Sequence, residues 1–367
     1  MTAMTQALGL GPGRPSRTSI LVAAARAFGA REPDESVRNP DWLAERLLGP
    51  EELDLIREHP IAPALQQDYR YARQNPVVAG LSNFMLVRTR FIDDRLQAAI
   101  RNGVTQFVIL GAGFDTRPYR FAGLLQNVKT FEVDHHATQE TKKRRLSQAL
   151  GDLPANVCFV ETDFRRDPLA DVLRAAGYEP AEKTFFLWEG VAMYLSEGAV
   201  RETLRTIAES APGSSLVLDY ACHATIDVLQ KFPHLSQHRH TTDWGEPWTF
   251  GVPDTREREF FGECGLELRE AISLIRGDRL KRYLTRADGT RLGRGRWGRR
   301  RNESTQLSRA RRNLSRASSI GNVFRMLWMA VTRRTKWYAL AELVVPATHS
   351  SGPPVHSSGE LLKSGSK

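Results

Sequence analysis

The sequence of 367 residues predicts an α/β fold with a mostly parallel sheet that is covered by helices on both faces. From residue 105 onward, short apolar segments alternate with segments of helical pattern, as expected for parallel strands joined by helical crossovers. Between Val108 and Arg117, an apolar run breaks into Gly-Ala-Gly and then into polar residues that can begin a helix. Such a turn lets the main chain approach a ligand closely.

An acidic pair supports a cofactor site at this glycine turn. Glu132 and Asp134 end the next apolar run, about 20 residues later, which is the layout of a nucleotide-type site on a doubly wound sheet. A dinucleotide site usually has a third glycine, and Thr116 stands in that position. The sequence therefore disfavours NAD and FAD and favours S-adenosylmethionine, which has no pyrophosphate. A strand–glycine–helix turn without a ligand remains the alternative.

The remaining elements follow from periodicity. Residues 17–104 are predicted to be helical, because apolar residues recur at helical spacing and prolines divide the stretch into short helices. Residues 1–16 and 347–367 are expected to be disordered. Further helices are predicted at Thr138–Leu150, Gly198–Ser210 and Thr255–Cys264. The predicted strands are Phe107–Leu110, Val128–Val133, Val157–Val160, Thr184–Leu187, Ser215–Tyr220, Leu266–Leu274 and Tyr338–Val345.

Composition narrows the class of protein. The chain is 41% hydrophobic and 26% charged, which is typical of globular domains. It has no apolar run of about 18 residues, and its N-terminus lacks the apolar core of a secretory signal. The three cysteines are isolated, with neither metal-site spacing nor a disulfide framework. We therefore expect a cytoplasmic protein.

The net charge of +10 belongs to one segment. Residues 286–336 hold 15 Lys/Arg and two acids, so the rest of the chain sums to about −3. Within that segment, Ile320 to Val331 has the pattern of an amphipathic helix. Three interpretations stay open: an insertion whose helix packs on the domain, a helix at an anionic membrane surface, or a patch for RNA or an acidic partner.

Several motifs occur together in order along the chain. They are Arg88-Thr-Arg-Phe-Ile-Asp-Asp94, Val108-Ile-Leu-Gly-Ala-Gly-Phe-Asp-Thr-Arg117, Phe131-Glu-Val-Asp134, Thr162-Asp163-Phe164 and Leu187-Trp-Glu-Gly-Val-Ala-Met-Tyr-Leu195. This set resembles the leucine carboxyl methyltransferase family, and most of all its bacterial branch of candidate S-adenosyl-L-methionine-dependent O-methyltransferases. The resemblance covers roughly residues 17–275 and 337–346.

The resemblance implies a class I S-adenosyl-L-methionine-dependent methyltransferase fold, with a Rossmann-like seven-stranded sheet that ends in an antiparallel hairpin. Residues 17–104 would form an N-terminal helical cap, and 105–346 the methyltransferase domain, with a basic insertion at about 276–336. S-adenosyl-L-methionine would be the cofactor, and Arg17 is a loosely matched cap residue near it. The residues that the resemblance assigns to cofactor binding are Arg88, Gly111, Gly113, Asp134, Asp163, Phe164 and Glu189.

Physical chemistry is compatible with these assignments and leaves alternatives. Asp134 can accept hydrogen bonds from ribose hydroxyls, or it is a solvated loop acid. Asp163 can accept from the adenine amino group, and Phe164 can supply an apolar wall or simply pack in the core.

Two charged residues raise the same choice. Arg88 offers a bidentate clamp for a carboxylate, or it is a charge on a helix surface. Glu189 ends an apolar strand and needs a cationic partner there. That partner is either the ammonium group of the cofactor or an arginine, Arg88 or Arg117.

The chemistry of the acceptor stays open. Methyl transfer to a carboxylate needs no general base, whereas a hydroxyl acceptor benefits from one. Tyr194 and His223 are the candidate bases, both weak. No metal site is expected, because His234, His238 and His240 lie in a proline-punctuated loop without an evident carboxylate partner. The sequence predicts an O-methyltransferase for a small-molecule or lipid-like acceptor, with an RNA-modifying enzyme or a non-catalytic binding protein as alternatives.

Overall fold

The computed structural model describes residues 14–163, 167–231, 242–274, 279–292 and 338–347. Seven strands form one sheet in the order β3-β2-β1-β4-β5-β7-β6. Strands β1 to β5 run parallel, and β7 lies antiparallel between β5 and β6. The seven strands are β1 Gln106–Leu110, β2 Lys129–Asp134, β3 Val157–Glu161, β4 Thr184–Trp188, β5 Ser215–Ala221, β6 Glu267–Ser273 and β7 Tyr338–Val344.

This topology confirms the predicted fold class, including its terminal antiparallel hairpin. Each of the seven predicted strands is present, with ends that differ by one residue or coincide. The order also contains a switch point, because β1 has β2 on one side and β4 on the other. In open parallel sheets, ligands bind at the carboxyl ends of the strands at such a point.

The central strands are apolar because both of their faces are covered. Every residue of β1, β4 and β5 is buried. In β1, Val108 and Leu110 pack in the core on one face, and Phe107 and Ile109 pack in the core on the other. Continuous apolar strands of this kind are typical of parallel sheets between two helical layers.

Helices before β1 build up the N-terminal part of the chain. The long α5 begins after Asn75, whose side chain accepts from Val77 N at 2.9 Å, and its Pro76 needs no hydrogen-bond partner at the first helical position. Helix α1 packs against α5. The five helices are α1 Arg17–Ala30, α2 Pro50–Ile56, α3 Ala62–Leu65, α4 Tyr69–Ala72 and α5 Pro76–Arg101, and two 3-10 helices cover Glu35–Val37 and Ala44–Leu47.

The helices of the sheet region lie near their predicted positions. Glu197 begins its helix one residue before the prediction, because Ser196 caps it by accepting from Ala199 N at 3.3 Å. None of the described helices is long and apolar enough to span a bilayer. They are α6 Arg117–Arg120, α7 Ala122–Leu125, α8 His136–Leu150, α9 Leu169–Ala175, α10 Glu197–Ala208, α11 His223–Lys231 and α12 Glu257–Gly262, with 3-10 helices at Ala192–Tyr194 and Arg279–Leu284.

Some predictions fall outside the described residues. These are the helix predicted from Ile320 to Val331, most of the basic segment, the histidines of the loop at 234–240, and Phe164. The division into cap, domain and insertion remains a prediction.

Candidate active site

The glycine turn after β1 requires glycine at two positions. Gly111 and Gly113 both have positive φ angles, of 70° and 44°, a region that L side chains rarely adopt. A Cβ on Gly111 would collide with the side chain of Val191. A Cβ on Gly113 would lie 3.1 Å from Cβ of Ser19 in α1. The turn is therefore packed between α1 and the segment after β4.

Asp134 ties this turn to the end of β2. Its carboxylate accepts hydrogen bonds from the main-chain N–H groups of Gly113 and of His135, the latter at 2.6 Å. Burial raises the pKa of Asp134, and the two N–H donors oppose that rise. Asp134 therefore lies in contact with the predicted cofactor loop.

Glu132 lies on the same strand but has a different environment. It is fully buried, and its Oε2 lies 2.6 Å from Nζ of Lys142 in α8. Burial raises the pKa of Glu132 to about 7, although Lys142 opposes the change. Only Asp134 of the acidic pair contacts the glycine turn.

Arg88 is buried rather than on a helix surface. It is 3% exposed, and α5 directs it toward the carboxyl ends of β4 and β5. Its Nε lies 2.9 Å from Oε1 of Glu189, and its Nη1 lies 2.9 Å from Oδ2 of Asp219. The guanidinium therefore joins two strands of the sheet.

Arg117 is the second cationic partner of Glu189. Its Nη1 lies 2.9 Å from Oε2 of Glu189, and its side chain also forms ion pairs with Asp93, at 2.7 Å, and with Asp115. Burial opposes the ionisation of Glu189, but Arg88 and Arg117 hold its pKa below the usual value. In the structure, the close partners of Glu189 are thus Arg88 and Arg117, and Nη1 of Arg26 lies farther away, 3.9 Å from its Oε1.

These contacts belong to a larger cluster, which we call the buried ion network. All its members are less than 10% exposed in their side chains, and most are joined by pairs of 2.7–3.1 Å. They come from α1, the loop between the two 3-10 helices that follow it, α5, the glycine turn, α6 and the ends of β4 and β5. The members are Arg26, Asp41, Arg88, Asp93, Asp115, Arg117, Arg120, Glu189 and Asp219.

Sequence reasoning missed Asp219, which is fully buried in β5. It accepts from Gly190 N at 2.6 Å, from Arg88 at 2.9 Å and from the Tyr338 hydroxyl at 2.7 Å. One signal was available, because Asp219 is the single charge in an otherwise apolar strand. A buried carboxylate there requires a partner.

The adenine end of the predicted site is described only in part. Asp163 follows β3, and its main-chain N–H donates to the carboxylate of Asp167 at 2.8 Å. Thr162 N donates to the carbonyl oxygen of Asp134 at 3.0 Å, so this segment lies beside the acid at the end of β2. Its neighbour Phe164 lies outside the described residues.

The two candidate bases occupy different environments. Tyr194 is half-buried in the 3-10 helix after β4, and burial, followed by the charge of Glu246, raises its pKa. His223 begins α11 with an exposed side chain, and its main-chain N–H donates to Val252 at 3.0 Å. Tyr194 is therefore influenced by the charge of Glu246, whereas the side chain of His223 is exposed to solvent. Arg17, at the start of α1, lies over the Trp244 ring, with Cζ 5.9 Å from its centroid.

Comparison with known proteins identifies the family. The model of the leucine carboxyl methyltransferase family matches residues 19–208, more than half of the chain. The chain belongs to this family. Its match includes the glycine turn, Asp134 and Glu189, and also the four arginines of the buried ion network.

Relatives in three bacteria are named as candidate S-adenosyl-L-methionine-dependent methyltransferases. YktD of Bacillus subtilis is 33% identical over 217 residues, which cover 56% of this chain and 71% of the relative. A protein of Mycobacterium ulcerans is 36% identical over 58% of this chain and 65% of its own length. One of Mycolicibacterium smegmatis is 31% identical over 71% of this chain and 91% of its own length.

The family confirms the predicted enzyme class and cofactor: the chain is a methyltransferase that uses S-adenosyl-L-methionine. The described residues fit that cofactor chemically. Nη2 of Arg117 is buried and has no hydrogen-bond partner among the described residues, so it is a free donor for a carboxylate. The roles of individual residues remain predictions.

Proposed function

We propose that this chain is an O-methyltransferase that transfers the methyl group to a carboxylate or hydroxyl of a small-molecule or lipid-like acceptor. The buried ion network carries this proposal. It lies beside the glycine turn at the carboxyl ends of β1, β4 and β5, where ligands of open parallel sheets bind. Few polar groups in a largely apolar site fix the orientation of a small ligand.

The cofactor would be held along this edge. Gly111 and Gly113 would let the main chain approach it, and Asp134 would accept from the ribose hydroxyls. Asp163 and Phe164 would flank the adenine.

The amino-acid end of the cofactor would meet the buried ion network. Its ammonium would pair with Glu189 and its carboxylate with Arg88 or Arg117. A zwitterion fits between Glu189 and its arginines, because its ammonium faces the carboxylate and its carboxylate faces a guanidinium.

Methyl transfer depends on how the acceptor is positioned against the cofactor, and it needs no proton transfer to the cofactor. When bound, the cofactor supplies an activated methyl group on a sulfonium whose departure needs no protonation. The residues around it must align the acceptor oxygen with that methyl group and exclude water. Helix α1 contributes to this exclusion, because Ser19 packs on Gly113 and Arg26 lies within 3.9 Å of Glu189.

Calorimetry with S-adenosyl-L-methionine and its homocysteine product tests the proposal. We expect the protein to bind both, and Glu189→Gln to weaken binding about 10- to 100-fold, since a charged hydrogen bond contributes about 1.5–3 kcal/mol. Glu197→Gln is the control, because Glu197 is exposed and pairs only with Arg201. Absence of binding by the wild-type protein would rule the proposal out.

A second candidate follows from the charge of the segment 286–336, which would dock RNA or an anionic membrane. Binding to RNA and to vesicles that contain anionic lipid would be compared before and after deletion of residues 293–335. Docking through this segment requires strong, salt-dependent binding that the deletion abolishes. Equal binding by both proteins would exclude it.

A further inference from the structure

Glu246 is a buried carboxylate beside the site that the proposed function does not use. Its side chain lies in the described segment 242–253 and is 6% exposed. In the same segment, Thr249 N donates to the carbonyl oxygen of Met193 at 2.8 Å. This bond holds the segment against the 3-10 helix that follows β4.

Hydroxyl groups, rather than cations, contact this carboxylate. The Ser16 hydroxyl donates to Oε1 at 3.0 Å, and the Thr18 hydroxyl donates to Oε2. Glu246 forms no ion pair within the described part of the chain, whereas each carboxylate of the buried ion network lies within 4 Å of an arginine nitrogen. Glu246 is thus built into a place that accepts hydrogen bonds from O–H groups.

Burial raises the pKa of Glu246 to about 7. The hydroxyls of Thr18 and Ser16, the main-chain N–H of Thr18 and the charge of Arg17 oppose the rise, and Tyr194 is another titratable side chain nearby among the described residues. A carboxylate that titrates near neutral pH is suited to general-base catalysis.

The position of Glu246 relates it to the methyl acceptor. Its partner Ser16 caps α1, and Ser19 in the first turn of that helix packs on Gly113. On the other side, the ring of Trp248 lies 5.6 Å from the ring of Tyr338. The segment therefore extends from the start of α1, the helix that packs on the glycine turn, to the end of β5.

Aromatic rings line this end of the segment. The Phe84 ring lies 5.5 Å from Tyr338, whose hydroxyl donates to Asp219 of the buried ion network. After the larger effect of burial, the charges of both Glu246 and Asp219 raise the pKa of Tyr194. Such rings favour stacking with a planar aromatic ligand.

We propose that Glu246 binds the acceptor and takes its proton, and that the acceptor group is the hydroxyl of a phenol-like molecule rather than a carboxylate. This inference rests on the proposed function. The acceptor oxygen bonds to the methyl carbon while the carbon–sulfur bond breaks and its electron pair stays on sulfur. The hydroxyl proton moves to the Glu246 carboxylate and then to water. A carboxylate acceptor would bring a second negative charge to this place and has no proton to give.

The preference can be measured with two probes of similar shape, 4-ethylphenol and 4-ethylbenzoate. Calorimetry at pH 8 on the complex of the full chain with S-adenosylhomocysteine should give at least a tenfold lower Kd for the phenol. Glu246→Gln should reduce that ratio to about threefold or less, because the repulsion of the benzoate is lost. With labelled S-adenosyl-L-methionine, the variant should methylate 4-ethylphenol about 100-fold more slowly.

Cofactor binding separates this role from a structural one. Glu246→Gln should bind S-adenosyl-L-methionine within threefold of wild type although it loses the phenol preference and the rate. If Glu246 only holds α1 in place, the affinity for the cofactor should fall together with the rate.

Three results overturn the inference: binding of neither probe, equal or tighter binding of the benzoate, or an unchanged rate in Glu246→Gln. Binding of S-adenosyl-L-methionine to the same samples distinguishes this failure from failure of the proposed function. If the cofactor binds but one of these three results is obtained, the inference about Glu246 fails and the proposed function does not.

Discussion

Arg117→Met removes the cation on which three buried carboxylates depend. The side chain is 2% exposed and forms ion pairs with Asp93, Asp115 and Glu189. Methionine fills a similar length but leaves these carboxylates with fewer partners. We expect the free energy of unfolding to fall by about 3–5 kcal/mol at pH 7.5, as when one member of a buried pair is removed.

The pKa of Asp115 gives an independent magnitude. Burial opposes its ionisation, yet Arg117 and Arg26 lower its pKa from 3.8 to about 2. At about 1.4 kcal/mol per unit, this shift corresponds to about 2 kcal/mol of stability at neutral pH, to which Arg117 makes the largest favourable contribution, before Arg26 and Lys142. Because the folded-state pKa is depressed, that contribution is present above pH 3.8 and is lost as the pH falls toward 2.

Urea unfolding of both proteins, monitored by tryptophan fluorescence between pH 4 and 8, would test this reasoning. The difference in the free energy of unfolding between the wild type and Arg117→Met should be largest near neutral pH. It should decrease toward pH 4, because the buried carboxylates of the variant take up protons there. Arg174→Met is the control, because Arg174 is exposed and lies 3.9 Å from Asp171, so its loss should change stability by less than about 0.5 kcal/mol. A loss below 1 kcal/mol for Arg117→Met, or one that grows toward acidic pH, would refute the argument.

Three further predictions follow from the site. Gly111→Ala should weaken cofactor binding and lower stability by about 1–3 kcal/mol in thermal unfolding, because of its positive φ and the contact with Val191; wild-type values would contradict the packing. Asp134→Ala should lose most cofactor affinity by calorimetry, and also about 1–3 kcal/mol of stability because two N–H groups lose their acceptor; intact affinity would contradict the ribose role. Methylation of 4-ethylphenol should increase with pH through about 7 as Glu246 loses its proton, and a flat profile in the wild type would contradict this.

Local patterns predicted the sheet well. Apolar runs located all seven strands, and the pattern is clearest in β1, β4 and β5, because both faces of these strands are buried. Helix ends were less accurate. The predicted helix Thr255–Cys264 is Glu257–Gly262 in the structure, since periodicity describes the buried face and not the point where the last main-chain bond forms.

The site was predicted where its residues belong to a local motif. Gly111, Gly113 and Asp134 come together because the turn and the end of β2 are adjacent in a parallel sheet. The contact of Arg88 with Asp219 joins positions 131 residues apart, and no local pattern encodes it. Glu246 was missed for the same reason, because its partners Ser16 and Thr18 precede it by 230 and 228 residues.

The partner of Glu189 illustrates what only the fold decides. The sequence left a choice between the cofactor's ammonium, Arg88 and Arg117, and the structure gives one carboxylate oxygen to each arginine. Arg88 also pairs with Asp219, and Arg117 also pairs with Asp93, so neither arginine depends on Glu189 alone. Glu189 can therefore release an arginine to a ligand without leaving an isolated buried cation. Loss of Arg117, in contrast, leaves Asp115 without an ion-pair partner among the described residues, and it leaves Asp93 and Glu189 with one arginine fewer. The network can therefore rearrange around Glu189 when a ligand binds, whereas its stability depends on Arg117. For this reason Arg117 is the position for the stability test and Glu189 the position for the binding test.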